Sequence, residues 1–346
     1  MQIHGQRGSS LGFGDNPSTR ARYPLSAWIL IAFERPIVHA VKVFLTGGTG
    51  AIGPSAIRAL VQAGNQVTAS ARSPEKAVLI ERLGAQPATA SLFDQDALRA
   101  AFDGHDAVVN LATAIPSTLR YPFPRAWREN ARIRSEGSAN VVDAALAVGA
   151  QRLVQESIAL GYPDRGAEWI DETVPLDLVP IMETTPIAEA QADRFTESGG
   201  SGVVLRFGLF YGPDSVQSRE MLALARAHIG LVFGAGSSYF SPIHLEDAGA
   251  AVATALHAPP GVYNVVDDEP VTKRDFASAI NAAVGARAWV RGPGRLAGLP
   301  GRNMAAVNRS HRVSNRAFRS ATEWAPTMRS AWEGWEATAR VCASSA

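Results

Sequence analysis

The sequence predicts an α/β fold, a doubly wound parallel sheet followed by a smaller C-terminal lobe. Two observations carry it. From residue 41 onward, apolar runs of strand length alternate with segments of helical period. The first of these runs, Val41-Lys-Val-Phe-Leu45, leads directly into a cluster of glycines that opens a helix. Strands separated by helices cannot be joined by tight hairpins, so they pair in parallel with helices covering both faces.

The elements follow in order. After the strand at 41–45, Ile52, Ala56, Ala59, Leu60 and Ala63 recur at helical spacing. Pro54 falls in the first turn, where its missing N–H costs little, and Gly64-Asn65 closes the helix. Gln66–Ser70 is the second strand, Ser73–Leu83 a helix and Pro87–Ala90 the third strand. Asp94 can cap a helix running to Phe102. Ala107–Ala112 is the fourth strand, and one long helix is predicted from Trp127 to Val148, stopped by Gly149. Gln151–Gln155 is the fifth strand, and Val203–Leu205 and Val262–Val265 are further ones. The sheet domain is expected over 41–212 with a contribution from 242–266, and the smaller lobe over 213–241 and 267–346.

Composition narrows the function. The 346 residues carry a formal net charge of +1, so no global field draws the chain to nucleic acid or to an anionic membrane. A single cysteine, Cys342, allows no disulfide framework or Cys-based metal site within the chain, and a reducing, cytoplasmic setting is expected. The seven histidines show no metal-ligand spacing, and Lys42, Lys76 and Lys273 are the only lysines. Residues 1–40 differ from the rest. Leu25–Phe33 is apolar but too short to span a bilayer. Three readings fit this stretch: a start properly placed near Val41, a disordered leader, or a secretory signal ending near Val38-His39-Ala40.

Gly47, Gly50 and Gly53 lie in Thr46-Gly47-Gly48-Thr49-Gly50-Ala51-Ile52-Gly53, after a strand and at the opening of a helix. In that context the first glycine permits a tight turn, the second lets backbone approach a pyrophosphate, and the third lets helix and strand pack closely. The helix N-terminus offers unpaired N–H groups to the phosphates. This is a Rossmann-type site for a nicotinamide dinucleotide. No carboxylate follows the second strand to take a ribose 2′-hydroxyl; Ser70-Ala71-Arg72-Ser73 stands there instead. Arg72 can pair with a 2′-phosphate, which favours NADP over NAD.

The Gly-x-x-Gly-x-x-Gly spacing does not stand alone. With Asn110-Leu-Ala-Thr113, Arg206-Phe-Gly-Leu-Phe-Tyr-Gly-Pro213, His244-Leu-Glu-Asp247, Val262-Tyr-Asn-Val265 and Pro270-Val-Thr272 in this order, the chain resembles the extended short-chain dehydrogenase/reductases, the NAD-dependent epimerase/dehydratase family. The resemblance implies a small-molecule substrate bound under the C-terminal lobe and a homodimer. It brings Thr49, Ala51 and Ile52 to the cofactor with the three glycines, puts Ser91 and Leu92 near the adenine, and sets Ala112 and Thr113 along the cofactor. The family often has Asp where Ser91 stands.

The resemblance also implies a Ser, a Tyr and, one helical turn later, a Lys as the proton-transfer set. Ser157 occupies the serine position and is expected to polarise the substrate oxygen. After Glu172-Thr-Val-Pro175, the Tyr-x-x-x-Lys segment reads Thr185-Pro-Ile-Ala-Glu-Ala-Gln-Ala-Asp193, with Ile187 at the tyrosine position and Gln191 at the lysine position. Neither can exchange a proton, although Gln191 can hydrogen-bond a ribose. Tyr162, on the loop after Ser157, is the best relocated tyrosine, against a plain packing role. Glu189 and Glu183 read as a solvated-face acid and a loop acid, with a general acid/base role for either as the alternative, and Tyr211 and the pair His244 and Asp247 read as structural. Gly234–Ser238 reads as a rim loop or surface turn, and Trp324, Trp332 and Trp335 as core. Nothing in the sequence shows the basic constellation a nucleotide-sugar diphosphate needs, although the scattered Arg219, Arg226 and Arg302 do not exclude one. Three functions follow: an NAD(P)-dependent oxidoreductase of a small carbonyl or hydroxyl compound with a degenerate site, a nucleotide-sugar epimerase or dehydratase, and a non-catalytic NADP-binding regulator.

Overall fold

A computed structural model describes residues 40–117, 120, 121, 123–294 and 305–344. The expectations for residues 1–39 and for Arg302 fall outside them. Seven strands form the central sheet: β1 Lys42–Thr46, β2 Gln66–Ser70, β3 Gln86–Ala88, β4 Ala107–Asn110, β5 Arg152–Ile158, β6 Ser201–Phe207 and β7 Gly261–Val265. Their order is β7-β6-β5-β4-β1-β2-β3, and every pairing is parallel. The chain moves outward in opposite directions from β1, to β2 on one side and β4 on the other. That switch point opens a crevice beyond the C-terminal strand ends, where ligands bind in such sheets.

The helices α1 Gly53–Gln62, α2 Pro74–Arg82, α3 Gln95–Phe102, α4 Arg128–Arg132, α5 Ser138–Ala147, α6 Thr185–Glu197, α7 Val216–Arg226, α8 Leu245–Ala255 and α9 Lys273–Ala283 divide between the faces and the lobe. Ile57 and Leu60 of α1 and Ala248 and Val252 of α8 bury Val43, Leu45, Val109 and Val203 on one face. On the other, Leu98 and Phe102 of α3, Val141 and Val142 of α5 and Phe195 of α6 bury Phe44, Val108, Leu153 and Val204. Asp94 caps α3 by accepting from the Ala97 N–H at 3.0 Å, as its position before an apolar period predicts.

Two elements differ from the sequence reading. The fifth strand continues to Ile158, pairing Ser157 with Arg206 and Ile158 with Phe207. Gln155, Glu156 and Ser157 break the apolar run, yet all three are buried, because each finds a polar partner. The single helix expected from Trp127 to Val148 is instead a 3₁₀ turn at Pro124–Trp127, then α4, a π turn at Ile133–Gly137, and α5. The wide turn carries Arg134, which reaches across to Glu156.

In the C-terminal part, Tyr211, Leu222, Phe276, Ile280 and Trp335 form a separate apolar cluster. Trp324 and Trp335 are buried there and under α8, whereas Trp332 is 45% exposed rather than core. Asp247 accepts from the N–H groups of Thr327 and Met328, and so holds the tail against α8. Residues 286–302, which show no period, supply a strand at Val290–Gly294 paired with Ile229–Phe233. Among the described residues no helix is long and apolar enough to cross a membrane.

His311 joins this part to the segment after β5: its Nε2 lies 2.9 Å from the Tyr162 carbonyl, to which the neutral ring donates. Burial pushes its pKa down from 6.5 to about 4. A depressed folded-state value favours the neutral ring, so this stability is complete above pH 6.5 and is lost as pH falls toward 4. The loss amounts to about 3 kcal/mol. Urea unfolding across that window is expected to show it, and His311→Gln to remove that part of the pH slope.

Candidate functional site

The crevice is built first from the loop between β1 and α1. Gly47 has φ +75°, and a Cβ there would stand 2.6 Å from the carbonyl carbon and oxygen of Leu111. A Cβ at Gly53 would stand 2.4 Å from the carbonyl carbon of Gly48. The loop therefore lies against both the end of β4 and its own helix, and Gly50 N–H donates to Gly47 O at 2.9 Å to close the turn. No side chain caps α1 at Ile52. Its first-turn N–H groups face the crevice that Thr49, Gly50 and Ala51 border, an anion cradle of main chain alone. The Ser70 hydroxyl accepts from Gly47 N–H at 3.2 Å, which ties the end of β2 to the loop. Two residues on, Arg72 is exposed and makes no hydrogen bond or ion pair among the described residues. Ser91 accepts from Phe93 N–H and is exposed, while the Leu92 carbonyl is held by Asn140 of α5 at 2.9 Å.

Below the crevice runs a buried polar ladder. Thr46 Oγ1 donates to Asn110 Oδ1 at 2.6 Å, and Asn110 Nδ2 donates to Gln155 Oε1 at 2.9 Å. Gln155 Nε2 then donates to the Glu156 carbonyl. These bonds tie the C-terminal ends of β1, β4 and β5 together and fix the floor on which Ala112 and Thr113 emerge. Beside it, Arg134 Nη2 donates to both Glu156 oxygens at 3.0 and 2.8 Å. Burial raises the Glu156 pKa and Arg134 opposes that shift.

Ser157 and Tyr162 are both buried and joined in one polar cluster. Ser157 is fully buried within β5 and its hydroxyl donates to Glu189 Oε1 at 2.5 Å. Glu189 is not a solvated acid: Arg206 of β6 grips it through Nε at 2.9 Å and Nη2 at 2.7 Å. Arg206 Nη1 also donates to the Tyr162 hydroxyl, which donates in turn to Asn264 Oδ1, each at 2.9 Å. Burial pushes the Tyr162 pKa up. Burial also opposes the charge on Arg206, but the bonds to Glu189 outweigh it and hold the guanidinium protonated. The cluster fastens α6 to β5, β6 and β7, and both hydroxyls are hydrogen-bonded within it. The sequence reading puts Ser157 just after the fifth strand; the longer β5 carries it into the sheet instead. Tyr211 is structural as read, donating to buried Asp267 at 2.9 Å.

On α6 the residues at the tyrosine and lysine positions do point away from this cluster. Ile187 is 43% exposed and Gln191 is half-buried. Gln191 Oε1 accepts from Arg194, which pairs with Asp143. None of the three lysines replaces the missing one: Lys42 begins β1, Lys76 is on α2, and Lys273 is buried with Nζ on the Arg309 carbonyl at 2.7 Å.

The remaining wall went unnoticed in the sequence. Trp127, Val179, Ile181 and Met182 pack together with Tyr121, Ile158 and Leu160. These come from the segment after β4, the end of β5 and the lead into α6, so the cluster gathers at the C-terminal end of the sheet. Tyr121 and Trp127 meet edge to face at 4.8 Å, and Trp127 Nε1 donates to the Tyr121 carbonyl at 2.8 Å. In the same segment after β4, Ile115 is 54% exposed and Phe123 63% exposed. The only sequence signal was the aromatic density of residues 121–127, which matches no motif.

A family described as NAD(P)H-binding matches residues 47–215. A 3-diazoavenalumate denitrifying reductase from a Streptomyces species is 35% identical over 241 residues, 66% of this chain and 77% of that protein. A 4-hydroxy-2-methyl-3-oxo-4-farnesyl-3,4-dihydroquinoline-1-oxide ketoreductase from Stigmatella aurantiaca is 29% identical over 259 residues, 72% of this chain and 75% of that protein. Among solved structures, the human epimerase family protein SDR39U1 with NADPH superposes with a TM-score of 0.75 at 24% identity. It covers 86% of this chain and 99% of its own.

Proposed function

The chain belongs to the extended short-chain dehydrogenase/reductases, the NAD-dependent epimerase/dehydratase family, and on that premise we propose that it is an NADPH-dependent reductase of small apolar carbonyl compounds. The observation that carries the reading is the apolar, aromatic cluster of Tyr121, Trp127, Ile158, Leu160 and Met182, which follows the C-terminal ends of β4 and β5 at the same end of the parallel sheet as the dinucleotide loop. A sugar diphosphate calls for clustered cations, and the described residues of that cluster supply none. Two of the similar proteins are named as a reductase and a ketoreductase.

The glycine cradle and the uncapped start of α1 fit a pyrophosphate. Gly47, Thr49, Gly50, Ala51, Ile52 and Gly53 would hold it, Ser91 and Leu92 would flank the adenine, Ala112 and Thr113 would border the nicotinamide half, and Gln191 would reach a ribose. When bound, the reduced nicotinamide supplies the hydride. The chain's own work is to seat the carbonyl in a dry pocket and orient it. Ser157 and Tyr162 act through Glu189 and Arg206 to position α6, the wall that carries Ile187 and Gln191.

Arg72 would select NADPH through a charge-assisted pair with its 2′-phosphate. Arg72→Ala is expected to lower the NADPH-to-NADH affinity ratio about tenfold or more, read by fluorescence titration of both nucleotides. An unchanged ratio removes Arg72 from cofactor choice. The reading itself is tested by titrating NADPH and then following its oxidation with a panel of aromatic and aliphatic aldehydes and ketones. Binding without turnover favours the second reading, a non-catalytic NADP-binding protein, for which Ile187 and Gln191 at the proton-transfer positions are the specific support.

A further inference from the structure

The strand order sets which part of the chain meets which half of a dinucleotide. The pyrophosphate cradle follows β1, and Arg72 and Ser91 follow β2 and β3 on one side of it. The segment after β4 lies on the other side and is in direct contact with the cradle. A Cβ at Gly47 would stand 2.6 Å from the Leu111 carbonyl and 2.8 Å from the Ala112 nitrogen. With the adenine half over β2 and β3, the residues that follow Leu111 are left to the nicotinamide half.

Two asparagines hold this segment. Asn110, itself tied to Thr46 and Gln155, accepts from the Ala112 N–H at 3.4 Å. Asn130 of α4 accepts from the Ala114 N–H through Oδ1 at 3.0 Å. Thr113 stands between the two bonded N–H groups, so a shift of Thr113 strains one bond or the other. Asn130 is 2% exposed. A buried amide costs stability unless it is hydrogen-bonded, and packing alone gives no reason for an asparagine there. One turn later Arg134, also buried, holds Glu156 of β5. This stretch of chain is thus fastened both to the segment after β4 and to the neighbouring strand.

Resting on the assignment of Ala112 and Thr113 to the nicotinamide half, we infer that Asn130 is a positioning residue for the cofactor. Through the Ala114 N–H it holds Thr113 and its neighbours against that half. No proton or hydride passes through it. It sets where the nicotinamide lies, and with that the approach of a bound carbonyl.

The test uses the full chain with NADPH and with adenosine 2′,5′-bisphosphate, which carries the adenine half of NADPH and lacks the nicotinamide half. Asn130→Ala is expected to weaken NADPH about three- to tenfold by fluorescence titration, the loss of one hydrogen bond, with bisphosphate affinity by calorimetry unchanged within about twofold. A role in folding alone would weaken both ligands alike, so equal losses overturn the inference, as does an unchanged NADPH affinity. Hydrogen exchange of the wild type reads the same contact without a substitution, should the variant fail to fold. The peptide 111–117 is expected to exchange about threefold or more slowly with NADPH bound than with the bisphosphate bound. Equal protection by the two ligands overturns the inference. If the wild type binds neither ligand, the dinucleotide site falls and takes the inference with it. A wild type that binds both but reduces no carbonyl ends the reductase reading alone, and the comparison of the two ligands still decides the role of Asn130.

Discussion

Gly47→Ala is expected to disable nucleotide binding and to destabilise the whole domain. The backbone at Gly47 has φ +75°, a left-handed conformation that costs a residue with a Cβ about 1–3 kcal/mol. The added methyl would also fall 2.6 Å from the Leu111 carbonyl and 2.8 Å from the Ala112 nitrogen. These are main-chain atoms that cannot rotate away, so overpacking adds a similar cost. Relief requires the loop to lift from the end of β4, and that moves the N–H groups meant for phosphate. Fluorescence titration is expected to show NADPH affinity reduced by more than about tenfold, with the melting temperature well below wild type. Gly64→Ala is the matched control. It has a comparable φ of +86°, but an added methyl there would meet nothing within 4 Å, so strain alone remains and NADPH binding should survive. Equal NADPH loss in both variants would show that strain, not the close approach to β4, is what matters at Gly47.

Glu189→Ala is expected to cost about 3–5 kcal/mol of stability, because it leaves the buried Arg206 guanidinium without its carboxylate. The same change strips the acceptor from Ser157, so the fastening of α6 to β5 and β6 fails together. Replacing both charges, as Glu189→Met with Arg206→Met, should recover much of that loss, since the expense lies in a lone buried charge rather than in the missing pair. Urea unfolding of the two variants checks this. A single substitution that costs no more than the double one would mean the pair is solvated and does not hold α6.

The sheet and the dinucleotide loop were legible because their signals are local. A strand of apolar residues ending in Gly47 and a helix opening at Gly53 sit within a dozen residues of each other, and periodicity and turn chemistry act at that range. The proton-transfer gap was legible for the same reason, since Ile187 and Gln191 lie four residues apart on one helix. The fate of Ser157 was not. Its partner Glu189 is 32 residues away and Arg206 lies 17 beyond that. No pattern in the sequence says that these three meet. Glu189 looked like a surface acid because a glutamate on a helix usually is one, and only the parallel pairing of Ser157 with Arg206 places the two strands to enclose it. Tyr121 lay outside every motif, and its setting is made by a cluster drawn from three separate segments.

The π turn at Ile133–Gly137 has a bearing on how this chain is compared with its relatives. A wider turn adds about one residue relative to an uninterrupted α-helix, so the face that α5 presents is rotated by about 100° from where a constant period would put it. Leu92 and Phe93 pack against Gly137 at the point of that slip. An alignment drawn through 128–147 as one continuous helix would be out of phase by a residue beyond Gly137, pairing buried positions such as Val142 with half-buried ones such as Asp143. Relatives with and without the wide turn should therefore be aligned as two helices joined by a one-residue insertion, with Arg134 and its carboxylate at β5 as the marker for the longer form.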